Sequence, residues 1–148
     1  MAGTRRILFA SDFSKASRKA FTTAVAMAKA NRATLTILHV IVPFTPIAPE
    51  QFIDPETWER IDSQARRWSE HQLRTLTAKA TKAGLRVVGL LLEGDPVQQI
   101  VRTARSKRAD FLVVGTHGRT GLAKLFVGSV ASRLVATAPC PLVTVRGK

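Results

Sequence analysis

A doubly wound parallel α/β sheet is the fold class this chain predicts, and three observations predict it. Short runs rich in valine, isoleucine and leucine alternate with amphipathic stretches of helical period from one end to the other. The fourth run, "DFLVVG" at 110–115, is almost wholly apolar, as a central parallel strand covered on both faces must be. The 148 residues, 45% apolar and 22% charged, suit one domain, 1–148, with room for a proper core.

The elements follow in order. "RILFA" at 6–10 is a strand ending in the turn-like "SDFS", and Ser14 is placed to cap a helix whose buried side carries Phe21, Ala24, Val25 and Ala28. "TLTILHV" at 34–40 is a second strand. The stretch 43–55, "PFTPIAPEQFIDP", holds four prolines and reads as a long loop. From Glu56 to Ala83 the apolar positions Trp58, Ile61, Ala65, Trp68, Leu76, Ala80 and Ala83 recur every three or four residues, which marks an amphipathic helix closed by Gly84.

"RVVGLLL" at 86–92 is the third strand. Asp95 and Pro96 open the next helix as N-cap and first residue, and its buried stripe is Val97, Ile100, Val101 and Ala104. After the fourth strand comes a glycine-rich stretch, then a last helix marked by Val130, Leu134 and Val135, stopped before Pro139. "PLVTVR" at 141–146 is the fifth strand. With right-handed crossovers this order gives a parallel sheet between two layers of helices, and ligands of such sheets sit outside the carboxyl ends of the strands.

Composition removes several classes of function. The N-terminal segment has too short an apolar run for a signal-peptide core or a membrane span. Cys140 is the single cysteine, so no internal disulfide forms, and a reducing cytoplasm suits the chain best. Between Pro139 and Pro141 it reads as a small structural residue. The net charge of +13 predicts attraction to polyanions, yet the 23 basic residues are scattered and match no recognition motif, so specific nucleic-acid binding is not expected.

The stretch Gly115 to Ala131, "GTHGRTGLAKLFVGSVA", is the one that carries a ligand question. It fits neither the Walker pattern, since Ala123 precedes Lys124, nor the dinucleotide fingerprint. What stands is Gly115-x-x-Gly118, nine residues, then Gly128-Ser129. Glycines permit positive φ and close backbone approach, and Gly128 and Ser129 are expected to open the last helix with unpaired N–H groups toward an anion. A long glycine-rich surface turn accounts equally well for the spacing alone.

The spacing G-x2-G-x9-G-S, together with "ILFASDFS", "LHVI", "EGDP" and the whole stretch from Val113 to Arg146, resembles the universal stress protein family. Ala10 departs from the proline common there. The resemblance implies a Rossmann-like fold of the adenine nucleotide alpha hydrolase type, with strand order 3-2-1-4-5. It implies ATP binding, with Asp12 on the ribose or adenine side and the Val40 backbone at the adenine edge. Gly115, Gly118, Gly128, Ser129 and the Val130 backbone would hold ribose and phosphates. It also implies a homodimer through the terminal strand, whose leading proline suits a sheet edge.

Each assignment has a plainer competitor. Asp12 suits a local turn, and Arg119 and Lys124 are either phosphate contacts or solvated loop cations. His117 lacks a carboxylate near it in sequence, His39 reads as a hydrogen-bonded core residue, and His71 as a helix-face residue. The three histidines form no metal motif, so any Mg²⁺ would ride on nucleotide phosphates. No general base stands out, so the expectation is a nucleotide-binding stress or signalling protein with an unidentified protein partner, not an enzyme. A slow ATPase and a nucleotide-independent dimeric adaptor or polyanion-binding module are the alternatives.

Overall fold

The computed structural model describes residues 3–43, 54–116 and 123–147. Its strands are β1 (Arg6–Ala10), β2 (Thr34–Ile41), β3 (Val87–Glu93), β4 (Phe111–Thr116) and β5 (Leu142–Arg146); its helices are α1 (Lys15–Asn31), α2 (Pro55–Lys82), α3 (Pro96–Ser106) and α4 (Ala123–Thr137). All strand pairs are parallel and the order is β3-β2-β1-β4-β5, as the sequence implied.

Successive side chains of a strand point to opposite faces, and this divides the core in two. Ile7, Phe9, Leu35, Ile37 and Val113 pack under α1 and α2. Leu8, Leu38, Leu112 and Val114 pack under α3 and α4. Helix α1 meets the sheet through Ala16, Ala20, Ala24 and Ala28, all fully buried, and the small side chains let its backbone lie close to the strands. Cys140 is half-buried against the second cluster. Burial pushes its thiol pKa up and Asp110 adds to the shift, which fits a structural residue.

Helix ends follow the sequence. Ser14 accepts the Ser17 N–H at 3.2 Å, Asp54 that of Thr57 at 2.9 Å, and Asp95 that of Gln98 at 2.9 Å. Pro55 and Pro96 each stand in the first helical turn, so the loop expected through Pro55 ends one residue earlier. Gly84 follows α2 at φ 93°, in the left-handed region that favours glycine.

Two expectations need correction. The apolar stripe of α2 is buried only in its C-terminal half, through Leu73, Leu76 and Ala80, while Ile61 is 40% and Trp68 53% exposed. Length explains it: the 28 residues of α2 span roughly 42 Å at the rise of a helix, and the 7 residues of β3 roughly 23 Å at that of a strand. The first turns of α2 therefore overhang the sheet. Second, α4 begins at Ala123, so Gly128 and Ser129 lie inside the helix and do not open it. Nothing in 123–127 breaks a helix, and an interior glycine only weakens one.

Candidate functional site

The crevice is a consequence of the winding. Strand β1 lies between β2 and β4, and the connections leaving β1 and β4 go to opposite faces, α1 to one and α4 to the other. Between them the carboxyl edge of the sheet stays open, at the switch point where such folds bind ligands. A cleft of about 480 Å³ lies there, floored by the ends of β1, β2 and β4. That volume is within the range of small-molecule sites.

The turn after β1 is tied down from three sides. The Ser11 N–H donates to Leu38 O of β2 at 2.8 Å. Its buried hydroxyl lies 2.7 Å from that of Ser17 in α1 and accepts the Phe13 N–H at 3.0 Å. Phe13 takes φ 62°, a left-handed conformation costly for a residue with a Cβ. Its ring is held by His39, at 4.2 Å between centroids, and by the edge of Trp68 at 5.4 Å.

Asp12 makes the local turn weighed for it and stands on the wall of the cleft. Its Oδ1 accepts the Ser14 N–H at 2.9 Å, which makes a local turn, and the residue also lines the cleft. His39 Nδ1 lies 2.6 Å from Ser11 O. A carbonyl only accepts, so Nδ1 carries the hydrogen. His39 is thus hydrogen-bonded as expected, but it stands half-buried on the cleft wall and positions the turn that holds Asp12.

Backbone alternation places Val40. Leu38 O points toward β1, where it takes the Ser11 N–H, while Ile41 O points toward β3, where it takes the Gly94 N–H at 3.0 Å. Val40 is two residues beyond Leu38, so its N–H and C=O turn toward the β1 side, past the last paired residue, Ala10. They face the cleft, where a planar base edge could be met.

Gly115 also lines the cleft, but what the structure requires of it differs from the expected positive φ. A Cβ there would meet the backbone of Ala16 at 2.7 Å and of Ser17 at 2.8 Å. The glycine lets β4 touch the first turn of α1, which brings Ser17 to the cleft. Val130 and Ala131 of α4 close the far wall with Ile100 of α3. Ser129 is exposed and is not part of the lining. Gly118, Arg119 and His117 lie outside the described residues, as do the side chain of Lys124 and positions 44–53 of the proline-rich loop.

Ser11, Ser17, Pro96 and Ile100 were not picked out in the sequence as site residues. For Ser17 a signal existed: it follows Ala16 on the alanine stripe, so a buried polar group there needs a partner. The first turns of α1, α3 and α4 contain no acidic residue, and their positive ends reach the edge of the sheet that carries the cleft. Among the described residues no group of His, Cys, Asp and Glu could hold a metal ion, and no helix is long and apolar enough to cross a membrane. Apolar walls, a carboxylate, a backbone edge and helix N-termini suit a ligand with a flat apolar body, hydroxyls and an anionic end.

Comparison with known proteins agrees with the fold. The model of the universal stress protein family matches residues 3–146. A universal stress protein of Methanocaldococcus jannaschii is 31% identical over 144 residues, covering 96% of this chain and 82% of its own length. The structure of a universal stress protein from Lactobacillus plantarum superposes with TM-score 0.81 at 28% identity, over 99% of this chain and 100% of that one. A family protein from Arabidopsis thaliana with AMP bound shares the fold at TM-score 0.71 and 22% identity, over 97% and 92% of the two chains. The chain belongs to the universal stress protein family.

Proposed function

We propose that the chain is an ATP-binding stress or signalling protein that holds the nucleotide in the crevice between β1 and β4. One observation carries this: Asp12, the Val40 backbone, Gly115 and Val130, far apart in sequence, converge on one cleft of nucleotide size. The base would lie along Val40 and Ile100, the ribose hydroxyls would meet Asp12, and the phosphates would lie toward Gly115. Arg119 and Lys124 would meet phosphate charge, and Mg²⁺ would travel on the phosphates. The AMP-bound Arabidopsis protein of the same fold supports an adenine nucleotide as the ligand class.

In this proposal the protein binds and does not turn over its ligand, and it works in the cytoplasm. Occupancy would order the surface that a protein partner reads. A homodimer through β5 belongs to the same proposal: β5 is an edge strand, and an open parallel edge is a template for a second copy.

Isothermal titration of Mg-ATP into the protein is the test, with phosphate release followed in parallel. A dissociation constant below roughly 100 µM without phosphate release bears the proposal out. No heat at millimolar ATP refutes nucleotide binding. Phosphate release that survives purification and disappears in Ser129→Ala protein refutes the non-catalytic part.

A further inference from the structure

The amino edge of the sheet, opposite the crevice, carries a second cleft of about 490 Å³. Four arginines line it: Arg5 and Arg6 where β1 begins, Arg32 after α1, and Arg86 before β3. All four are exposed. We infer that this cleft is a binding site for a compact oligophosphate anion, held by the guanidinium groups of Arg5, Arg6, Arg32 and Arg86.

Charge is segregated along the strands. Segments 3–6, 29–34, 79–87 and 105–110 form this end of the molecule, and they hold ten lysines and arginines against one acidic residue, Asp110. The other described carboxylates belong to the crevice edge, as Asp12, Glu93 and Asp95 do, or to the N-cap and first five turns of α2. The described ion pairs, Arg66 with Glu93 and Arg133 with Asp95, use none of the cleft arginines. Lys29, Lys79, Lys82 and Arg105 lie in or near the last turns of helices, where cations offset the negative dipole end. Arg5, Arg6 and Arg86 stand at strand starts, where no dipole calls for them.

The frame is fixed before any anion arrives. Asp110 accepts the N–H groups of Arg5 and Arg6 at 2.8 and 2.9 Å. Arg5 O takes the Thr34 N–H at 2.8 Å, and Arg86 O that of Leu35 at 2.9 Å. Arg32 caps α1 at φ 52°, donating its N–H back to Ala28 and Lys29 carbonyls. Each arginine is thus anchored at its backbone, with a planar fork of donors matched to phosphate oxygens. No described lining residue is aromatic, so the cleft offers no platform for stacking nucleobases. That favours a free oligophosphate over a nucleic acid.

The test uses sodium tripolyphosphate on the full chain at about 0.15 M salt, where unstructured attraction to a basic surface is screened. Amide-resolved NMR is expected to show shifts at 4–6, 31–34 and 86. Arg5→Gln with Arg86→Gln should weaken binding at least about tenfold, equivalent to about 1.4 kcal/mol. Arg67→Gln with Arg74→Gln, the same charge loss on α2, should change it less than about twofold. Arg32→Gly, which a positive φ accepts without strain, should lose affinity while folding at least as stably. Shifts spread over the whole basic surface, or equal losses in both double variants, overturn the site. Shifts confined to Ser11, Asp12 and Gly115 overturn it as well. A thymidine oligonucleotide that binds the same amides more tightly than tripolyphosphate overturns the ligand class.

Discussion

Gly115 lines the cleft and at the same time fixes how closely α1 approaches the sheet. It sits where β4 passes the first turn of α1, and an added methyl group would press on the main chain of Ala16 and Ser17 rather than on a side chain that could rotate away. Gly115→Ala should therefore cost about 1–3 kcal/mol in urea unfolding and weaken nucleotide binding, because Ser17 and the Ser11 turn shift with the helix. Gly89→Ala is the matched control, since its nearest obstruction is the Thr77 methyl at 2.9 Å; it should cost well under half as much. Equal costs would show that the close approach at Gly115 does not govern the crevice. Asp12, Val40, Gly115 and Val130, which the structure places on the cleft, were legible as candidates through a family pattern carried by sequence. Ser17 and Ile100 were not, because they reach the cleft only through the packing of α1 on β4 and of α3 beside the sheet.

At the scale of elements, one carboxylate adds to the strand ladder in tying the start of β1 to the start of β4. Asp110 accepts the N–H groups of Arg5 and Arg6, and these bonds, followed by the charge of Arg6, hold its pKa below the ordinary 3.8. A carboxyl group whose pKa is lowered by folding stabilises the fold above its ordinary value, and the contribution is lost as pH falls through the folded one. The thermal stability of the wild type should thus fall as pH drops below the ordinary carboxylate value and on through the lowered one, and Asp110→Asn protein should show a shallower acid decline. Asp54, lowered chiefly by the Thr57 N–H, keeps part of that decline in the variant. Identical acid limbs would mean that the tether contributes nothing measurable. Element types and order were legible because period and turn chemistry agree in nearly every segment. The overhang of α2 was not, because an apolar stripe tells which face is buried but not how far the sheet beneath extends. The early start of α4 was hidden for a different reason: glycines mark where a chain can turn, and here Gly128 does not turn.

For the whole molecule, the sheet divides two chemistries between its edges. The carboxyl edge gathers apolar walls, Asp12 and helix N-termini around one cleft, and the amino edge gathers arginines around another. Net charge alone, visible in the sequence, says only that anions are attracted; the separation appears once parallel strands bring every strand start to the same side. An amide-resolved NMR titration with Mg-ATP at about 0.15 M salt distinguishes the two edges directly. Saturable shifts at Ser11, Asp12, Val40, Gly115 and Val130 at the lowest nucleotide concentrations, ahead of any change at 4–6, 31–34 and 86, are the expected result. Shifts that begin at the amino edge, or that leave the crevice amides unmoved at millimolar ATP, would contradict a nucleotide site between β1 and β4.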